Sequence, residues 1–491
     1  MTGLLERPYG CGEQTISSTY PNLMILKFVP ADAPVAKKAR TYLQKGYERL
    51  LGYQIADGGF TYWGGKDTSD VALTAYAIRF LSDARSQIAV DEDVIKRASD
   101  WLIKQQRADG SWAKLYRWEQ SEDKERTKLI TTYIARSLAM RKDADKTALQ
   151  KALDYLRARN NEIDEPYALA LYGLASLEAG DRPAAEAIAK RLASMAIPEG
   201  DGIYWNLETN TPFYGWGTAG RIETTALVTQ LLIGVSKGQP APQYADLVGK
   251  ATIFLLKNKD RYGVWYSTQT TINVLDAFLA SLGDAKTVEA QKLDIALNGR
   301  PIRSIDVPAD QIEPVTLDLT GDLNGAANTV AVRSSSSKPM MSQVVASHYI
   351  DWKDADVSGK TLNQSRALKL DYSCDKTAAA IMEEVTCSVA AERIGFQGYG
   401  MLLAEIGTPP GADVSRESLE KAIESDWSIS RYDILPDRIV VYMWSQAGGS
   451  HFDFKFKPRY AINAQTPASV VYDYYNPEAQ AVAAPLRFAV K

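Results

Sequence analysis

Residues 8–15 of the chain read Pro-Tyr-Gly-Cys-Gly-Glu-Gln-Thr. Cys11 stands three residues before Gln14, a spacing at which the thiol can attack the side-chain amide, release ammonia and close an internal thioester. Such a bond is an acyl donor, because sulfur overlaps poorly with the carbonyl and thiolate leaves easily. Gly10 and Gly12 suit a tight ring, since glycine adopts backbone angles that a β-carbon forbids. The alternative interpretation is a buried structural cysteine beside a surface Glu-Gln pair.

Length and composition exclude several classes of protein. The chain has 491 residues, which is enough for about two to four domains with sizeable cores. Its 56 basic and 60 acidic residues nearly balance, and without a basic tract the chain is not expected to bind nucleic acid. No apolar run reaches the roughly 20 residues of a membrane span, and residues 1–3 lead into the motif without a signal peptide.

A turn recurs through the first 290 residues and separates helical segments. Residues 54–60, Gln-Ile-Ala-Asp-Gly-Gly-Phe, return at 106–112 as Gln-Arg-Ala-Asp-Gly-Ser-Trp, with weaker copies at 202–205 and 263–265. Helices of similar form follow these turns, at residues 70–84, 127–141, 223–235 and 270–282. Self-similarity at a spacing of roughly 50 residues is typical of a repeated helical hairpin.

The two helices of a hairpin differ in their apolar surface. Residues 70–84 are apolar nearly all round, which predicts a buried helix, whereas residues 94–102 carry a one-sided apolar stripe. Residues 165–177 and 184–196 repeat this pair. Inner and outer helices that alternate and close on themselves predict an α/α toroid, with the loops at its two ends.

Toroids of this kind also occur in prenyl transferases and terpene cyclases, which supplies a rival function. The transferases hold zinc with Asp, Cys and His, and residues 1–300 contain no histidine. The cyclases need an acidic cluster to start a carbocation, and the sequence has no Asp-rich run of that kind. Phosphate loops, metalloprotease helices and nucleophile elbows are absent too, so we expect neither a metal nor a separate cofactor.

The composition changes near Glu289, and the remaining residues favour strands. Residues 293–297 and 302–307 flank Asn298-Gly299, the signal of a tight hairpin, and residues 314–319 and 329–332 add two strands. Further strands are predicted at residues 367–372, 384–393, 400–406, 427–432, 438–444, 452–457 and 469–478, with a helix capped by Ser415 at 415–424. The fold class is therefore multidomain α plus β, an α/α toroid followed by antiparallel β-sandwich domains.

Two segments far apart in the chain resemble the same family. Residues 8–15 are similar to the thioester signature of the alpha-2-macroglobulin and complement family, and residues 469–478 resemble the last strand of its terminal, receptor-binding domain. The resemblance covers the whole chain, as the carboxyl-terminal part of a longer secreted protein. It implies a thioester-containing toroid at 1–288, a partial CUB-like segment at 289–352 and a terminal macroglobulin-type sandwich at 353–491. Upstream macroglobulin domains and a signal sequence are then expected before residue 1.

The resemblance implies a chemistry for the opening motif. Members of the family attach covalently to a target after a protease cuts a bait segment elsewhere in the full chain. Carried onto this sequence, the thioester joins Cys11 and Gln14, with Gly12 and Glu13 inside the motif, and the protein is a single-turnover protease trap rather than an enzyme. Glu13 can instead be a plain surface carboxylate, and Thr15 is expected to cap a helix that begins at Ile16.

Two other functions stay open. One is a covalent adhesin or opsonin that tags surface proteins and has no protease partner. The other is a non-covalent binding module in which the thioester never forms. A closed thioester would make the chain one ammonia lighter than its encoded sequence. This difference in mass distinguishes the non-covalent module from the protease trap and from the adhesin or opsonin.

An unreacted thioester must be kept from water, and aromatic side chains suit that task. Tyr9 adjoins the motif, and Trp63 follows the first repeated turn, at what should be the same end of the toroid. In the family the terminal domain covers the site. The residues of that domain that can cover it here are Tyr472, Tyr474 and Tyr475, with Met443 and Trp444 as weaker candidates. Each of them can equally be an ordinary strand residue.

Histidine content bears on which nucleophile the thioester accepts. Some complement members carry a histidine downstream of the second toroid turn, which attacks first and helps to activate hydroxyls. The corresponding residues 116–123 hold none, and the only two histidines, His348 and His451, lie in the β-region. Without an imidazole relay a neutral amine is a better nucleophile than a hydroxyl. We therefore expect lysine amines, of target proteases or of surface proteins, as partners.

Cys374 and Cys387 lie on or beside neighbouring predicted strands. They can form a disulfide if their α-carbons come within about 7 Å, and are otherwise two separate buried thiols. The disulfide is favoured because the location that the resemblance implies, extracellular or periplasmic, is oxidising. A terminal domain without the family's further disulfides favours a bacterial, envelope-associated protein.

Overall fold

The structure of the chain is a computed structural model. It describes residues 5, 7–113, 123–141, 146–237, 243–259, 265, 267–282, 289–309, 311, 315–325, 327–336, 342, 344, 346, 352, 366–395 and 400–491. The α-helices within these ranges are α1 (Gly12–Phe28), α2 (Pro34–Leu51), α3 (Val71–Ala84), α4 (Glu92–Lys104), α5 (Lys124–Ala139), α6 (Lys146–Ala158), α7 (Pro166–Glu178), α8 (Arg182–Ala193), α9 (Gly217–Ser236), α10 (Ala245–Lys257), α11 (Thr268–Leu282) and α12 (Arg416–Ser425).

The helices up to α11 form the predicted ring of hairpins. Helices α1, α3, α5, α7, α9 and α11 each contact the next in this order, and α11 contacts α1, so the inner ring closes. Helices α2, α4, α6, α8 and α10 pack outside it, each against an inner neighbour. Burial follows the sequence pattern, because α3 is buried nearly all round whereas α4 buries one stripe.

The repeated turns make the same hydrogen bonds at each repeat. Gln54 Nε2 donates to Val94 O in α4, and Gln106 Nε2 donates to Ala148 O in α6, both at 2.9 Å. The N–H of the turn's aromatic residue donates at 2.9–3.1 Å to a threonine of the next inner helix, in the pairs Phe60–Thr74, Trp112–Thr131, Trp205–Thr225 and Trp265–Thr271. The turns therefore bind each of these inner helices through a threonine in its first half.

The strands of the described residues lie mostly in the second half of the chain. They are β1 (Ile197–Glu199), β2 (Gly202–Tyr204), β3 (Gln291–Leu297), β4 (Arg300–Val307), β5 (Val330–Ser334), β6 (Leu368–Cys374), β7 (Ala378–Ala379), β8 (Val385–Arg393), β9 (Met401–Gly407), β10 (Ala412–Val414), β11 (Ile429–Ile434), β12 (Arg438–Trp444), β13 (Ser450–Pro458), β14 (Ile462–Gln465), β15 (Ser469–Asp473), β16 (Asn476–Ala483) and β17 (Arg487–Val490).

A small sheet follows the toroid, in the order β4-β3-β5. Asn298 and Gly299 have φ angles of 52° and 77°, as the tight turn predicted between β3 and β4 requires. The strand predicted at residues 314–319 is wrong for its described part, 315–319, which contains no strand. Asp318 Oδ1 accepts a hydrogen bond from Thr320 N at 2.9 Å, and this local side-chain bond favours a turn over an extended pairing.

The last part of the chain is the predicted sandwich. A four-stranded sheet, in the order β10-β13-β8-β6, shares a core with a five-stranded sheet, in the order β11-β12-β9-β15-β16. Phe452, Phe454 and Phe456 point into that core, as their alternation predicts. Cys374 and Cys387 face each other across β6 and β8 and are joined by a disulfide.

Residues 469–478 do not form the single strand that the sequence predicts. They divide into β15 and β16, which pair as a hairpin with Tyr474 and Tyr475 at its tip. Asp473 causes the division, because its Oδ1 accepts hydrogen bonds from Tyr475 N at 2.8 Å and Asn476 N at 3.1 Å. An aspartate that bonds its own backbone two residues further on closes a turn.

The five-stranded sheet is apolar on both faces. Ala404, Ile406 and Val441 belong to the core of the sandwich. The neighbours that point the other way, Met401, Leu403, Val440 and Tyr442, belong to the core of the toroid. The sandwich is therefore docked on the toroid through a continuous apolar face, and this face lies beside the amino terminus of α1.

Candidate functional site

The opening motif forms the amino terminus of α1. Cys11 is the N-cap residue, so the helix begins four residues earlier than predicted, and Thr15 is not its cap. Cys11 and Gln14 make a reciprocal pair: the Cys11 sulfur faces the backbone N–H of Gln14, and Cys11 N donates to Gln14 Oε1 at 2.9 Å. Each side chain thus lies at the backbone N–H of the other residue, so both groups of a Cys11–Gln14 thioester are held at the amino terminus of one helix.

The reacting groups are fully buried. Cys11 and Gln14 are both 0% exposed. Gln14 Nε2, the nitrogen that closure would release as ammonia, has no hydrogen-bond partner among the residues that the structure describes. A buried unpaired amide donor costs free energy, so its loss as ammonia would relieve that cost.

Two glycines let the backbone approach this pair. Gly10 has a φ of +74°, and a β-carbon there would lie 1.9 Å from Gln14 Oε1. A β-carbon on Gly12 would lie 2.4 Å from Thr61 O. Gly12 N also donates to Tyr62 O at 2.7 Å, so the first repeated turn holds the motif directly.

Gly10→Ala is expected to displace the Gln14 side chain and prevent any Cys11–Gln14 bond. Gly65→Ala is the matched control, because Gly65 also has a positive φ, +60°, with no atom near its missing β-carbon. The control should lose only about 1–2 kcal/mol of unfolding free energy to backbone strain. Intact mass checks the effect, and a Gly10→Ala chain that loses ammonia as readily as the control would contradict it.

The carbonyl before Cys11 is held by three donors. Gly10 O accepts hydrogen bonds from Arg49 Nη2 at 2.6 Å, from Tyr53 OH at 2.7 Å and from Arg431 Nη1 at 3.4 Å. Arg431 lies on β11, in the sandwich. The motif is therefore anchored by the toroid and touched by the docked domain at the same atom.

Glu13 is 0% exposed, so its interpretation as a surface carboxylate is wrong. The first turn of α1 directs it into the ring, where Glu13 Oε1 accepts hydrogen bonds from Ser17 Oγ at 2.5 Å and Gln269 Nε2 at 3.2 Å. Burial raises the pKa of Glu13 to about 7, against the opposing effect of Ser17, Gln269 and Tyr475. A carboxyl with this pKa can take or give a proton near neutral pH.

The covered site disfavours the thiolate of Cys11. Burial, followed by the charge of Glu13, raises the pKa of the Cys11 thiol to about 12. A thiolate is the leaving group when a thioester is attacked, so a dry site slows that step as well as excluding the nucleophile. Opening the site to water would remove both barriers together.

Aromatic pairs close the site across the domain boundary. The Tyr62 ring contacts Trp444 edge-on with centroids 5.4 Å apart, and the Trp63 ring contacts Tyr442 at 6.1 Å. Tyr475 packs against Tyr214, a residue of the loop before α9, at 6.3 Å. Each pair joins a toroid residue to a sandwich residue, so the cover exists only while the domains are docked.

Comparison with protein families identifies the two main parts of the chain. Residues 1–280 match the A-macroglobulin TED domain, and residues 397–484 match the A-macroglobulin receptor binding domain. The chain belongs to the alpha-macroglobulin family. Its fold, a helical toroid followed by antiparallel sheets, is that of the carboxyl-terminal region of bacterial members.

Three solved structures of bacterial macroglobulins are similar to this chain. Native alpha-2-macroglobulin from Escherichia coli, from domain MG7 to the carboxyl terminus, matches 100% of this chain and 74% of its own, with a TM-score of 0.67 and 17% identity. The native conformation of the E. coli protein matches 100% of this chain and 30% of its own, with a TM-score of 0.66 and 18% identity. Salmonella alpha-2-macroglobulin reacted with methylamine matches 99% of this chain and 30% of its own, also with a TM-score of 0.66 and 18% identity. The chain thus spans 30% of the length of each of the two longer relatives.

The predicted covering residues of this macroglobulin occupy different places. Tyr475 is 1% exposed and lies deepest, near Glu13, while Tyr474 packs edge-on against it at 5.0 Å. Tyr472 is half-buried, and its hydroxyl donates to Glu405 Oε1 at 3.0 Å. Tyr9 is 38% exposed, at the margin of the site.

The two weaker candidates, Trp444 and Met443, point to opposite faces of β12. Trp444 faces the toroid, where it contacts Tyr62. Met443 is one residue away and points into the core of the sandwich, so it does not face the site. Successive strand residues point to opposite faces, and the spacing of Tyr442 and Trp444 could have identified the covering pair.

Sequence reasoning missed several residues that build the site. Tyr62 and Tyr442 had a signal, since one flanks the first turn and the other lies two residues from Trp444. Tyr214, Asp473 and Arg431 had none, because their roles depend on contacts between segments more than 200 residues apart. Of residues 116–123, where the resemblance would seek a histidine, residues 116–122 lie outside the described residues, and so does His348.

A buried carboxyl inside the ring of inner helices, that of Glu223, should make the unfolding free energy depend on pH. Burial raises the pKa of Glu223 to about 7, although Tyr167 OH donates to its Oε1 at 2.9 Å. The folded chain therefore holds a proton that the unfolded chain releases. This stabilisation is present below the ordinary carboxyl pKa and is lost as the pH rises towards 7, a change of up to about 3 kcal/mol.

Glu223→Gln should remove that change and stabilise the protein at about pH 8 but not at about pH 5, as measured by denaturant unfolding. Glu424→Gln, on the exposed face of α12, is the matched control and should alter neither value. A Glu223→Gln chain that is equally destabilised at both pH values would overturn the assignment of a buried neutral carboxyl.

Proposed function

We propose that the chain is the carboxyl-terminal part of a macroglobulin-type protein that captures proteases covalently through a Cys11–Gln14 thioester. One observation carries the proposal: Cys11 and Gln14 form a reciprocal, fully buried pair beneath aromatic residues that two domains contribute. The reaction occurs once per molecule, so the protein is an acyl donor and not an enzyme. The internal cross-link is its reactive group, and no separate cofactor is involved.

The proposed chemistry has two steps. In closure, the Cys11 sulfur attacks the Gln14 side-chain carbonyl carbon, and ammonia leaves with the thiol proton. In capture, the neutral amine of a lysine attacks the same carbon, the carbon–sulfur bond breaks and an amide forms. The amine gives up a proton and the Cys11 sulfur gains one. Glu13, whose pKa burial raises to about 7, is the proposed carrier of that proton.

The preference for amines rests on the absence of an imidazole at the described part of the site. His451 lies on β13, exposed, with its Nε2 2.9 Å from Gly448 O, away from the motif. Hydroxyl attack needs a base that first removes the hydroxyl proton, whereas a neutral amine attacks directly. Lysine side chains of a protease, or of another protein held close by, are therefore the proposed targets.

Activation is proposed to come from outside the chain. Upstream macroglobulin domains, which the longer relatives have room for, would carry the bait segment and transmit its cleavage. The proposed consequence is undocking of the sandwich, which admits the amine and hydrates the departing thiolate. A periplasmic or extracellular location is proposed too, since a disulfide such as Cys374–Cys387 persists in an oxidising compartment. Among the described helices none is long and apolar enough to cross a bilayer.

Labelling of the chain with methylamine and with glycerol tests the proposed reactivity. Methylamine should modify Gln14 and release one titratable thiol at Cys11, whereas glycerol at the same concentration should modify Gln14 far less. A Cys11→Ala chain is the matched control and should take up neither label. Comparable labelling by the two nucleophiles would sink the amine preference, and labelling that survives in the control would sink the thioester.

Protease capture needs a separate experiment on the full-length protein. A protease should form a complex that resists denaturation, and the same protease with its lysines dimethylated should form far less of it. Equal yields from both would show that lysine amines are not the point of attachment.

A further inference from the structure

One buried carboxylate, that of Asp473, binds residues of both the toroid and the sandwich. Asp473 is 0% exposed, at the end of β15. Its Oδ2 accepts a hydrogen bond from Trp216 Nε1, in the toroid, at 2.9 Å, and lies 2.9 Å from Arg393 Nη2, in the sandwich. Its Oδ1 accepts from Tyr475 N and Asn476 N at 2.8 and 3.1 Å. One oxygen therefore shapes the hairpin tip and the other binds the toroid.

Trp216 ends the loop at residues 206–216, between β2 and α9, which we name the docking loop. The loop is held by its own turn, in which Thr211 N donates to Gly215 O and Tyr214 N donates to Thr211 O, at 2.9 and 2.8 Å. Tyr214 adopts a φ of +63°, which is costly for a residue with a β-carbon. The loop is thus a turn of the toroid, held by its own hydrogen bonds, that reaches into the sandwich.

The same loop contacts the covering tyrosine. Tyr214 packs against Tyr475, and Gly400 fits between them, since a β-carbon there would lie 2.7 Å from the Tyr475 ring and 2.8 Å from Tyr214 Cβ. Trp216 packs against the core of the sandwich. The docking loop therefore meets the hairpin tip twice, through an aromatic contact and through the Asp473 carboxylate.

We propose that Asp473 is a positioning residue that couples docking of the sandwich to closure of the Tyr475 cover. The proposal rests on the proposed thioester chemistry for its consequence, but its geometry does not depend on the bond. With the domains docked, the carboxylate has four donors and the tip is fixed over Glu13 and Cys11. If the Trp216 contact is lost, Asp473 Oδ2 keeps its contact with Arg393, and the hairpin tip loses this hydrogen bond to the toroid.

This arrangement makes the cover respond to a contact away from the reacting atoms. A movement that separates Trp216 from Asp473 removes one bond of the carboxylate that also holds the Tyr475 turn. A buried carboxylate that loses a donor is left partly unpaired, so opening at the docking loop favours opening at the tip. The site thus opens as a unit and not by the motion of one tyrosine.

Cys11 accessibility tests this coupling without requiring a thioester. In a Gln14→Ala background, which cannot close the bond, iodoacetamide should reach Cys11 only when the cover opens. Adding Trp216→Phe, which removes the indole donor and keeps an aromatic ring, should raise the rate of Cys11 alkylation by about tenfold, equivalent to about 1.4 kcal/mol of docking free energy. Trp427→Phe is the matched control, because Trp427 is 65% exposed on the sandwich, and it should leave the rate unchanged.

Two readouts separate coupling from a general loss of stability. The midpoint of thermal unfolding should be similar in the Trp216→Phe and Trp427→Phe chains. Asp473→Asn keeps an oxygen for the turn but loses the charge that pairs with Arg393, and it should accelerate alkylation further. Equal alkylation of the Trp216→Phe chain and its control would overturn the proposal. In the chain with Gln14, failure of methylamine to release a thiol would overturn the proposed function alone.

Discussion

A Leu403→Asp chain is expected to expose Cys11 without any amine or protease. Leu403 is 5% exposed on β9 and packs in the core of the toroid, so a charge there must either be buried unpaired or separate the domains. Loss of the leucine contacts alone costs about 2–5 kcal/mol. Burial of the unpaired carboxylate adds to that cost, so separation of the sandwich from the toroid should cost less free energy than keeping the charge buried.

Titration of thiols and intact mass measure this outcome. The expected result is a free Cys11 with Gln14 converted to glutamate, because an uncovered thioester hydrolyses. Leu435→Asp is the matched control, since Leu435 is 44% exposed on the same sandwich, and this chain should retain the wild-type mass and thiol count. A Leu403→Asp chain indistinguishable from that control would mean that docking does not protect the site.

The second large effect is expected at the hairpin tip. Tyr475→Ala removes the side chain that lies deepest over the site, against Tyr214 and Tyr474. Truncation of a buried aromatic residue costs about 3–5 kcal/mol, and if only a third of that falls on the docked state, opening becomes roughly tenfold more frequent. Methylamine should then release the Cys11 thiol about tenfold faster.

Tyr460→Ala provides the comparison, because Tyr460 is 64% exposed on the sandwich and does not belong to the hairpin of β15 and β16. Its rate of thiol release should match the wild type. The idea that Tyr475 limits access fails if the two variants react equally fast with methylamine. It fails too if the Tyr475→Ala chain reacts no faster with a bulky primary amine, which gains most from a larger opening.

Hydrophobic periodicity was sufficient to predict the toroid. The contrast between α3, buried nearly all round, and α4, buried on one stripe, is present in their sequences. The recurrence of the turn residues also predicts a shared structural role, and Gln54 and Gln106 do make equivalent hydrogen bonds to the following outer helices. Local patterns that repeat report on local structure, and the inner ring is built from such repeats.

The docked interface had a weaker signal that was available in the strands. Residues 401–404 and 439–444 are apolar at nearly every position, whereas a sheet with one wet face alternates. Strands of that composition are buried on both faces, and here the second partner is the toroid. The pattern predicts that a partner exists but not which surface it is.

Three features of the site were beyond the sequence. The start of α1 depends on cysteine acting as an N-cap, a role that serine, threonine, aspartate and asparagine usually fill. The break between β15 and β16 follows from the bonds of Asp473 Oδ1 to the backbone just after it, and the other oxygen of this carboxylate is held by Trp216 and Arg393, from distant segments. The docking loop has no periodicity at all, and its conformation follows from what it touches.

The intact mass of the purified chain before and after methylamine treatment tests the Cys11–Gln14 thioester most directly. We expect a mass one ammonia below that of the encoded sequence, with the Cys374–Cys387 disulfide allowed for, and no reactive thiol. Methylamine should then add one molecule of amine at Gln14 and release one thiol at Cys11. A chain with the full encoded mass and a free Cys11 from the outset, unchanged by methylamine, would contradict it.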